Sequence, residues 1–192
     1  MNFFKFLVFF QLFFLTSKSQ TPSTCFNSIS LNSSFTFTSA GYDVADVLCY
    51  EDFNSDGFKD IICPGKVCSS CNWLVILLGS ATGTFSPPTN VPIINDGSSM
   101  ASGDFNSDGK MDLVSLSAGM TGNNVRIYLG IGNGTFGTYS AFSSSIDLNV
   151  IVDDLNLDGK LDLIFAGNYY GNPNQISVRF GIGNGSFGTP QN

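Results

Sequence analysis

The 192-residue sequence predicts an all-β, β-propeller-like protein of about three four-stranded blades, each ~51 residues long, arranged as a partial or open propeller. Three observations predict it. A nine-residue acidic motif occurs three times, a second landmark keeps the same period, and the segments between them carry strand patterning with no sustained 3.6-residue period.

The motif is Asp52-Phe53-Asn54-Ser55-Asp56-Gly57-Phe58-Lys59-Asp60, which returns as Asp104-Phe105-Asn106-Ser107-Asp108-Gly109-Lys110-Met111-Asp112 and as Asp154-Leu155-Asn156-Leu157-Asp158-Gly159-Lys160-Leu161-Asp162, at offsets of 52 and 50 residues. The second landmark is Leu78-Gly79, Leu129-Gly130 and Phe180-Gly181, spaced by 51 residues and each followed by a Gly-containing turn and a Phe: Phe85, Phe136 and Phe187. Two landmarks sharing one period define a repeat.

Cys49-Tyr50, Met100-Ala101 and Val150 to Val152 lead into the acidic motifs; Asp60 to Ile62, Asp112 to Val114 and Asp162 to Phe165 lead out. The segments Trp73 to Leu78, Val125 to Leu129 and Ile176 to Phe180 are rich in β-branched and aromatic residues, which fit a pleated surface. Val125-Arg126-Ile127-Tyr128 and Ile176-Ser177-Val178-Arg179 alternate as half-buried strands do. A fourth short strand after each Phe turn completes a unit the size of a propeller blade. The expected division is residues 42–92, 93–143 and 144–192 for the three repeats, preceded by 20–41 as a possible partial blade.

The acidic motifs carry the chemistry. A hard cation such as Ca²⁺ takes six to eight oxygen ligands. Positions 1, 3 and 5 present Asp52, Asn54 and Asp56, then Asp104, Asn106 and Asp108, then Asp154, Asn156 and Asp158. Gly57, Gly109 and Gly159 at position 6 permit the left-handed backbone that wraps an ion. The carbonyls of Phe58, Lys110 and Lys160 follow at position 7, and Asp60, Asp112 and Asp162 at position 9 close the set. About three Ca²⁺ ions are expected. An EF-hand or a helical dockerin-type site is disfavoured, because an EF-hand needs a Glu at position 12 between helices, whereas Cys63, Ser115 and Phe165 stand there between expected strands. The plainer reading is three solvated turns, since Asp, Asn and Gly are ordinary turn formers. A turn does not require five such residues at fixed positions three times over. Mg²⁺ is disfavoured by its demand for near-ideal octahedral geometry.

Composition narrows the rest. Hydrophobic residues form 43% of the chain and charged residues 12%, with no His, so the commonest general base is missing. No nucleophile elbow or isolated carboxylate pair stands outside the motifs, and a non-enzymatic role is expected. So few and scattered basic residues build no phosphate-tracking patch, and nucleic acid is not expected as a partner. Beyond residue 19 there are fifteen acidic residues against six basic ones, a net of −9, and nine of the acids lie in the three motifs. Acidity therefore reports metal sites, not a cationic partner.

Residues 1–19 read as a signal peptide: Lys5, an apolar run from Phe6 to Leu15, then Ser17-Lys18-Ser19 before a cut at Gln20. The run is too short to span a bilayer, and no later stretch reaches that length. A secreted, extracellular product is expected. Asn32, Asn133 and Asn184 open N-x-Ser/Thr sequons, plausible glycan sites in that compartment. Five cysteines occur: Cys25, Cys49, Cys63, Cys68 and Cys71. If the first motif joins a hairpin, Cys49 and Cys63 face each other and can pair, while Cys68-x-x-Cys71 suits a local bridge; the connectivity stays open.

At these residues the chain resembles the FG-GAP/VCBS repeats of integrin α-subunit propellers and many secreted repeat proteins. The resemblance covers roughly residues 42–192 and is most specific in the acidic loops. Phe136-Gly137 and Phe187-Gly188 match the family's Phe-Gly element, while Gly130 to Gly134 and Gly181 to Gly185 replace a literal Gly-Ala-Pro, which leans toward the VCBS-like group. The resemblance implies structural calcium in the loops and a recognition or adhesion role toward an extracellular protein or glycan. It also implies about seven blades, so three repeats need further repeats or self-association to close a ring. A lectin-like propeller is the alternative, with Trp73, Tyr128, Tyr169 and Tyr170 as sugar-stacking candidates that more simply pack in strands; a non-catalytic region of a larger enzyme is the second.

Overall fold

The computed structural model describes residues 43–44, 49–68, 71–93, 99–117, 124–144, 149–167 and 175–191. The signal segment, the 20–41 segment, Cys25, Asn32, Tyr169 and Tyr170 lie outside them.

Every element among the described residues is a strand, and all pairing is antiparallel. The first sheet holds β1 (Asp43–Val44), β2 (Cys49–Glu51), β3 (Asp60–Cys68), β4 (Cys71–Leu77) and β5 (Thr89–Ile93); β1 and β2 both pair with β3, followed by β4 and β5. The second runs β6 (Ser99–Gly103), β7 (Asp112–Leu116), β8 (Val125–Gly130) and β9 (Phe136–Phe142) in sequence order. The third runs β10 (Asn149–Asp153), β11 (Asp162–Gly167) and β12 (Gln175–Arg179). Its fourth position is held by Gln191, which exchanges backbone hydrogen bonds with Val178 at 2.8 and 2.9 Å. The first strands stand side by side, β2 against β6 and β6 against β10. The three meanders are thus propeller-like blades, and among the described residues the ring is not closed.

The core sits in the seams between blades. Phe53, Ile62, Leu74 and Ile76 of the first blade meet Met100, Leu113 and Tyr128 of the second. Phe105, Val114, Leu116, Val125 and Ile127 of the second meet Val152, Leu163 and Phe165 of the third. Each fully buried side chain of this size stabilises by about 1.5–3 kcal/mol, so the seams hold the blades together. They also correct one expectation. The alternating Val125-Arg126-Ile127-Tyr128 segment is buried at all four residues, because blade 2 is covered on both faces. Alternation of a half-buried strand survives in β10, with Val150 and Val152 in and Ile151 out.

The third blade keeps one face open. Ile151, Ile164 and Val178 lie in register across β10, β11 and β12. Their counterparts, Ala101, Val114 and Ile127 in blade 2 and Cys49, Ile62 and Ile76 in blade 1, are all buried under the next blade. In blade 3, Ile151, Ile176, Leu155 and Phe180 are exposed.

The pairing of Cys49 with Cys63 does not occur. Cys49 stands opposite Ile62, not Cys63, so the pleat sends the two cysteines to opposite faces of the sheet. Cys49 is in a disulfide, and Cys63 is a free, buried thiol whose Sγ lies 3.9 Å from the Val75 carbonyl oxygen. Burial pushes the Cys63 thiol up to about 11, which keeps it protonated. Cys68 and Cys71 stand opposite each other at the β3–β4 turn.

The recurring Gly of the second landmark has a steric reason. A Cβ on Gly130 would lie 2.1 Å from the Met111 carbonyl oxygen, and Gly79 and Gly181 meet Lys59 and Leu161 in the same way. Gly109 instead has open space and a φ of +81°. Gly130→Ala is therefore expected to cost about 3 kcal/mol, the upper range for overpacking, and Gly109→Ala about 1 kcal/mol. Urea unfolding midpoints of the two variants check the order.

Candidate metal centres

Each acidic motif is a loop joining the first two strands of a blade, β2–β3, β6–β7 and β10–β11, and the three loops share one hydrogen-bond scheme. In the second loop, Asp104 accepts from the backbone N–H of Asp108 (Oδ1, 3.1 Å) and of Gly109 (Oδ2, 2.8 Å). Asn106 Oδ1 also accepts from the Asp108 N–H, and its amide donates to Asp108 Oδ2 at 3.2 Å. Asp108 Oδ1 accepts from the Lys110 N–H at 2.9 Å. The first loop repeats this with Asp52, Asn54, Asp56, Gly57 and Phe58. The third repeats it with Asp154, Asn156, Asp158, Gly159 and Lys160.

The winding needs left-handed backbone at position 4 as well as position 6. Ser55, Ser107 and Leu157 have φ of 61°, 59° and 59°. Leu157 adopts it although an L side chain is strained there, so the loop scheme imposes the conformation on whatever residue stands at that position.

Position 9 behaves differently from the rest. Asp60, Asp112 and Asp162 are fully buried. Asp112 Oδ2 accepts from the Phe105 N–H at 2.8 Å, and Oδ1 accepts from the Gly130 N–H at 2.7 Å. Asp60 bridges Phe53 and Gly79, and Asp162 bridges Leu155 and Gly181, in the same way. One carboxylate thus ties the start of the loop to the end of the third strand.

The loops also reach the next blade. The Phe53 carbonyl accepts from the Gly134 N–H at 3.0 Å, and the Phe105 carbonyl from Gly185 at 2.9 Å. The Phe53 ring meets Phe136 edge-on at 6.0 Å, and Phe105 meets Phe187 at 5.6 Å. Position 2 is 1% and 3% exposed in these two loops, against 47% for Leu155 in the third. Asn133 and Asn184 are exposed and shape the turns that reach across: Asn133 Oδ1 accepts from the Thr135 N–H, and Asn184 Oδ1 from the Ser186 N–H, each at 3.0 Å.

The loops place the side chains of positions 1, 3 and 5 in one hydrogen-bond scheme and bury position 9, and two sets of partners were not foreseen from the sequence. Gly79, Gly130 and Gly181 are the amide donors to position 9, and Gly134 and Gly185 the donors to the next loop. The signal was the fixed period of the Gly landmark; its meaning lay 18 or 19 residues away in sequence.

Electrostatics separates the carboxylates. Burial raises Asp112 to about 6; the N–H groups of Gly130 and Phe105 oppose the rise, and the charges of Asp104 and Asp108 add to it. Asp60 is raised by burial in the same setting, with Asp56 and Asp52 adding to the shift. Asp158 is held low, first by the Lys160 backbone N–H, then by the Asn156 amide and the Lys160 ammonium. Asp108 is also held low: slight burial is outweighed by Lys110 and Asn106. The Nζ atoms of Lys110 and Lys160 stand 3.6 Å from these carboxylates. Trp73 is half-buried, and Tyr128 is buried in the first seam.

The donor set fits a hard divalent cation: oxygens only, and acids near enough to repel one another. The side-chain oxygens of positions 1, 3 and 5 are here turned to the loop's own N–H groups, and among the described residues no three acidic or Cys side chains stand as a closed metal shell.

Repeated four-strand meanders stacked through their faces, with an oxygen-rich loop between the first two strands of each, define a blade-repeat β protein. The sequence model described as FG-GAP-like repeat matches residues 52–115 and again 104–165, more than half of the chain, and each match runs from one acidic loop through the next. The chain belongs to the FG-GAP-like repeat family. A search of curated proteins finds no match.

A carboxyl raised on folding contributes stability that is complete below its unfolded value of 3.8 and is lost as pH rises through about 6. Asp108 and Asp158 act oppositely, and only at lower pH. In metal-free buffer the unfolding midpoint is expected to fall between pH 4 and 6.5, and Asp112→Asn to flatten that slope. A flat profile in the unaltered protein would contradict the assignment.

Proposed function

We propose that this repeat module is a secreted, non-enzymatic, calcium-binding unit for extracellular recognition or adhesion, in which about three Ca²⁺ ions stiffen the loops that join the blades. The observation that carries the reading is the shared hydrogen-bond scheme of Asp, Asn and Asp at positions 1, 3 and 5, with a buried Asp at position 9, in all three loops. Asp52, Asn54, Asp56, Phe58 and Asp60 would hold one ion, Asp104, Asn106, Asp108, Lys110 and Asp112 the second, and Asp154, Asn156, Asp158, Lys160 and Asp162 the third. A bound cation supplies positive charge where like charges otherwise repel. The loops need stiffness because position 2 of each of the first two is part of a seam. Calcium would thus act at a distance from the recognition surface by fixing the blades. Family membership supports a repeat module; extracellular placement rests on residues 1–19. Among the described residues no helix is long and apolar enough to cross a membrane.

Titration calorimetry with Ca²⁺ is expected to give about three weak sites, roughly 10⁻⁴–10⁻³ M as in extracellular modules, and chelator is expected to lower the melting temperature. Asp108→Ala should leave two sites. Absence of heat together with an unchanged melting temperature would sink the reading. For secretion, intact-mass measurement of the product exported from cells should place its N-terminus at Gln20; a product retained in the cytosol with Met1 would contradict it.

A further inference from the structure

The three acidic loops share one hydrogen-bond scheme but differ at position 7, where Phe58, Lys110 and Lys160 stand. The two lysines turn back on their own loops. Lys110 Nζ lies 3.6 Å from Asp108 Oδ2, and Lys160 Nζ lies 3.6 Å from Asp158 Oδ2. In both loops, Oδ1 of the same carboxylate is already taken by the lysine's own backbone N–H at 2.9 Å. Oδ2 is therefore the oxygen that position 5 has left to offer a cation, and an ammonium stands beside it. The position-3 amide also donates to Oδ2, but it does so in all three loops and does not tell them apart.

The blade provides a seat for each lysine. The stem of Lys110 runs over Gly132, in the turn between β8 and β9; a Cβ on that glycine would lie 3.0 Å from the lysine Cδ and 3.2 Å from its Cγ. Gly183 leaves the same room for Lys160, whose Cδ would be 3.1 Å away. Both glycines have left-handed backbone, with φ of 82° and 85°, so the seat comes with the winding of the turn. Blade 1 has neither half of the arrangement. Ala81 takes the place of the glycine, in a turn closed by the Gly83 N–H on the Ser80 carbonyl at 2.9 Å, and Phe58 takes the place of the lysine. Phe58 is 39% exposed, so burial does not account for an aromatic residue there. Lys59, one position later, pairs instead with Glu51 on β2, outside the motif. Among the described residues no lysine or arginine forms an ion pair with Asp56.

An ammonium this close to a carboxylate offsets part of its charge and repels a second cation brought to the same oxygen. Two loops thus carry a monovalent cation of their own on a flexible stem, and the first does not. Both pairs lie at the surface, where an ion pair is weak and screened, so the effect on a competing cation is a factor of about two to five.

We propose that Lys110 and Lys160 are resident cations that calcium must displace from the second and third loops, and that Phe58 spares the first loop this competition, so that the first loop loads first. The inference rests on the calcium reading of the loops and adds an order to it. Displacement makes and breaks no covalent bond: the ammonium keeps its protons and swings to solvent, while the position-7 carbonyl stays in the loop. Phe53 of the first loop belongs to the seam between blades 1 and 2, and Phe105 of the second to the seam between blades 2 and 3. The first seam therefore stiffens at a lower calcium concentration than the second.

The position-6 glycines report each loop separately. Ca²⁺ is added to the full chain while the backbone amide signals of Gly57, Gly109 and Gly159 are followed in ¹⁵N-correlated NMR spectra. The Gly57 midpoint is expected at about two- to fivefold lower Ca²⁺ than those of Gly109 and Gly159, and added salt should narrow the gap. Lys110→Met keeps the stem and the carbonyl and removes the charge; it should bring the Gly109 midpoint down to that of Gly57 and leave Gly159 where it was. Lys110→Arg, which keeps the charge, should leave the Gly109 midpoint high. Equal midpoints for the three glycines, or a Gly109 midpoint unmoved by Lys110→Met, would overturn the displacement and leave the calcium reading standing. No response to Ca²⁺ from any of the three would overturn the calcium reading and the displacement with it.

Discussion

The structure depends on one buried carboxylate per blade, held between two backbone N–H groups that the sequence separates widely. Asp112 joins Phe105, at the start of its loop, to Gly130, at the end of the third strand. Hydrogen bonds to a charged acceptor contribute about 1.5–3 kcal/mol each, and a buried carboxylate stripped of them is costly. The requirement explains the Gly of the second landmark. Only a residue without a Cβ can bring its N–H onto the carboxylate while its α-carbon lies against the Met111 carbonyl. Loop and strand end are therefore fixed relative to each other before any ion is considered.

From that joint the architecture propagates outward. The residue whose N–H is held by the carboxylate offers its carbonyl to the next blade, through Gly134 and then Gly185, and its ring to the next blade's Phe. One local device thus closes a blade and docks its neighbour. Among the described residues blade 3 has the device but no blade beyond it: Leu155 is held by Asp162, yet it lies exposed beside the row of Ile151, Ile164 and Val178, of which Ile151 is exposed and the other two half-buried. Among the loop acids, the exposed Asp108 and Asp158 are held charged, while the buried Asp60 and Asp112 are pushed toward neutrality.

What was legible in the sequence was what is local or periodic. The loop winding is set by side chains two to five residues from their N–H donors, so Asp104, Asn106, Asp108 and Gly109 declared it directly. The strands and the four-strand unit followed from residue type and a shared period. Three features were not legible, for separate reasons. Cysteine geometry turned on a one-residue register that places Cys49 opposite Ile62, and the spacing of Cys49 and Cys63 does not encode that register. The dual grip of position 9 required a partner across the sheet. Arg126 read as the outward residue of a half-buried strand; only stacking of blade on blade turns it inward, since a strand in isolation has a wet face and one between two blades has none.

Amide hydrogen exchange at single-residue resolution tests whether the position-9 carboxylates hold the loops and strand ends, and through them the blades, by backbone N–H groups. Without metal, the Phe105 and Gly130 amides are predicted to exchange far more slowly than those of Asp108 and Gly109 in the same loop. Replacement of Asp112 by Ala is predicted to speed Phe105 and Gly130 and, through the seam, Gly185. Equal exchange of all four loop and strand-end amides in the unaltered protein would contradict the account.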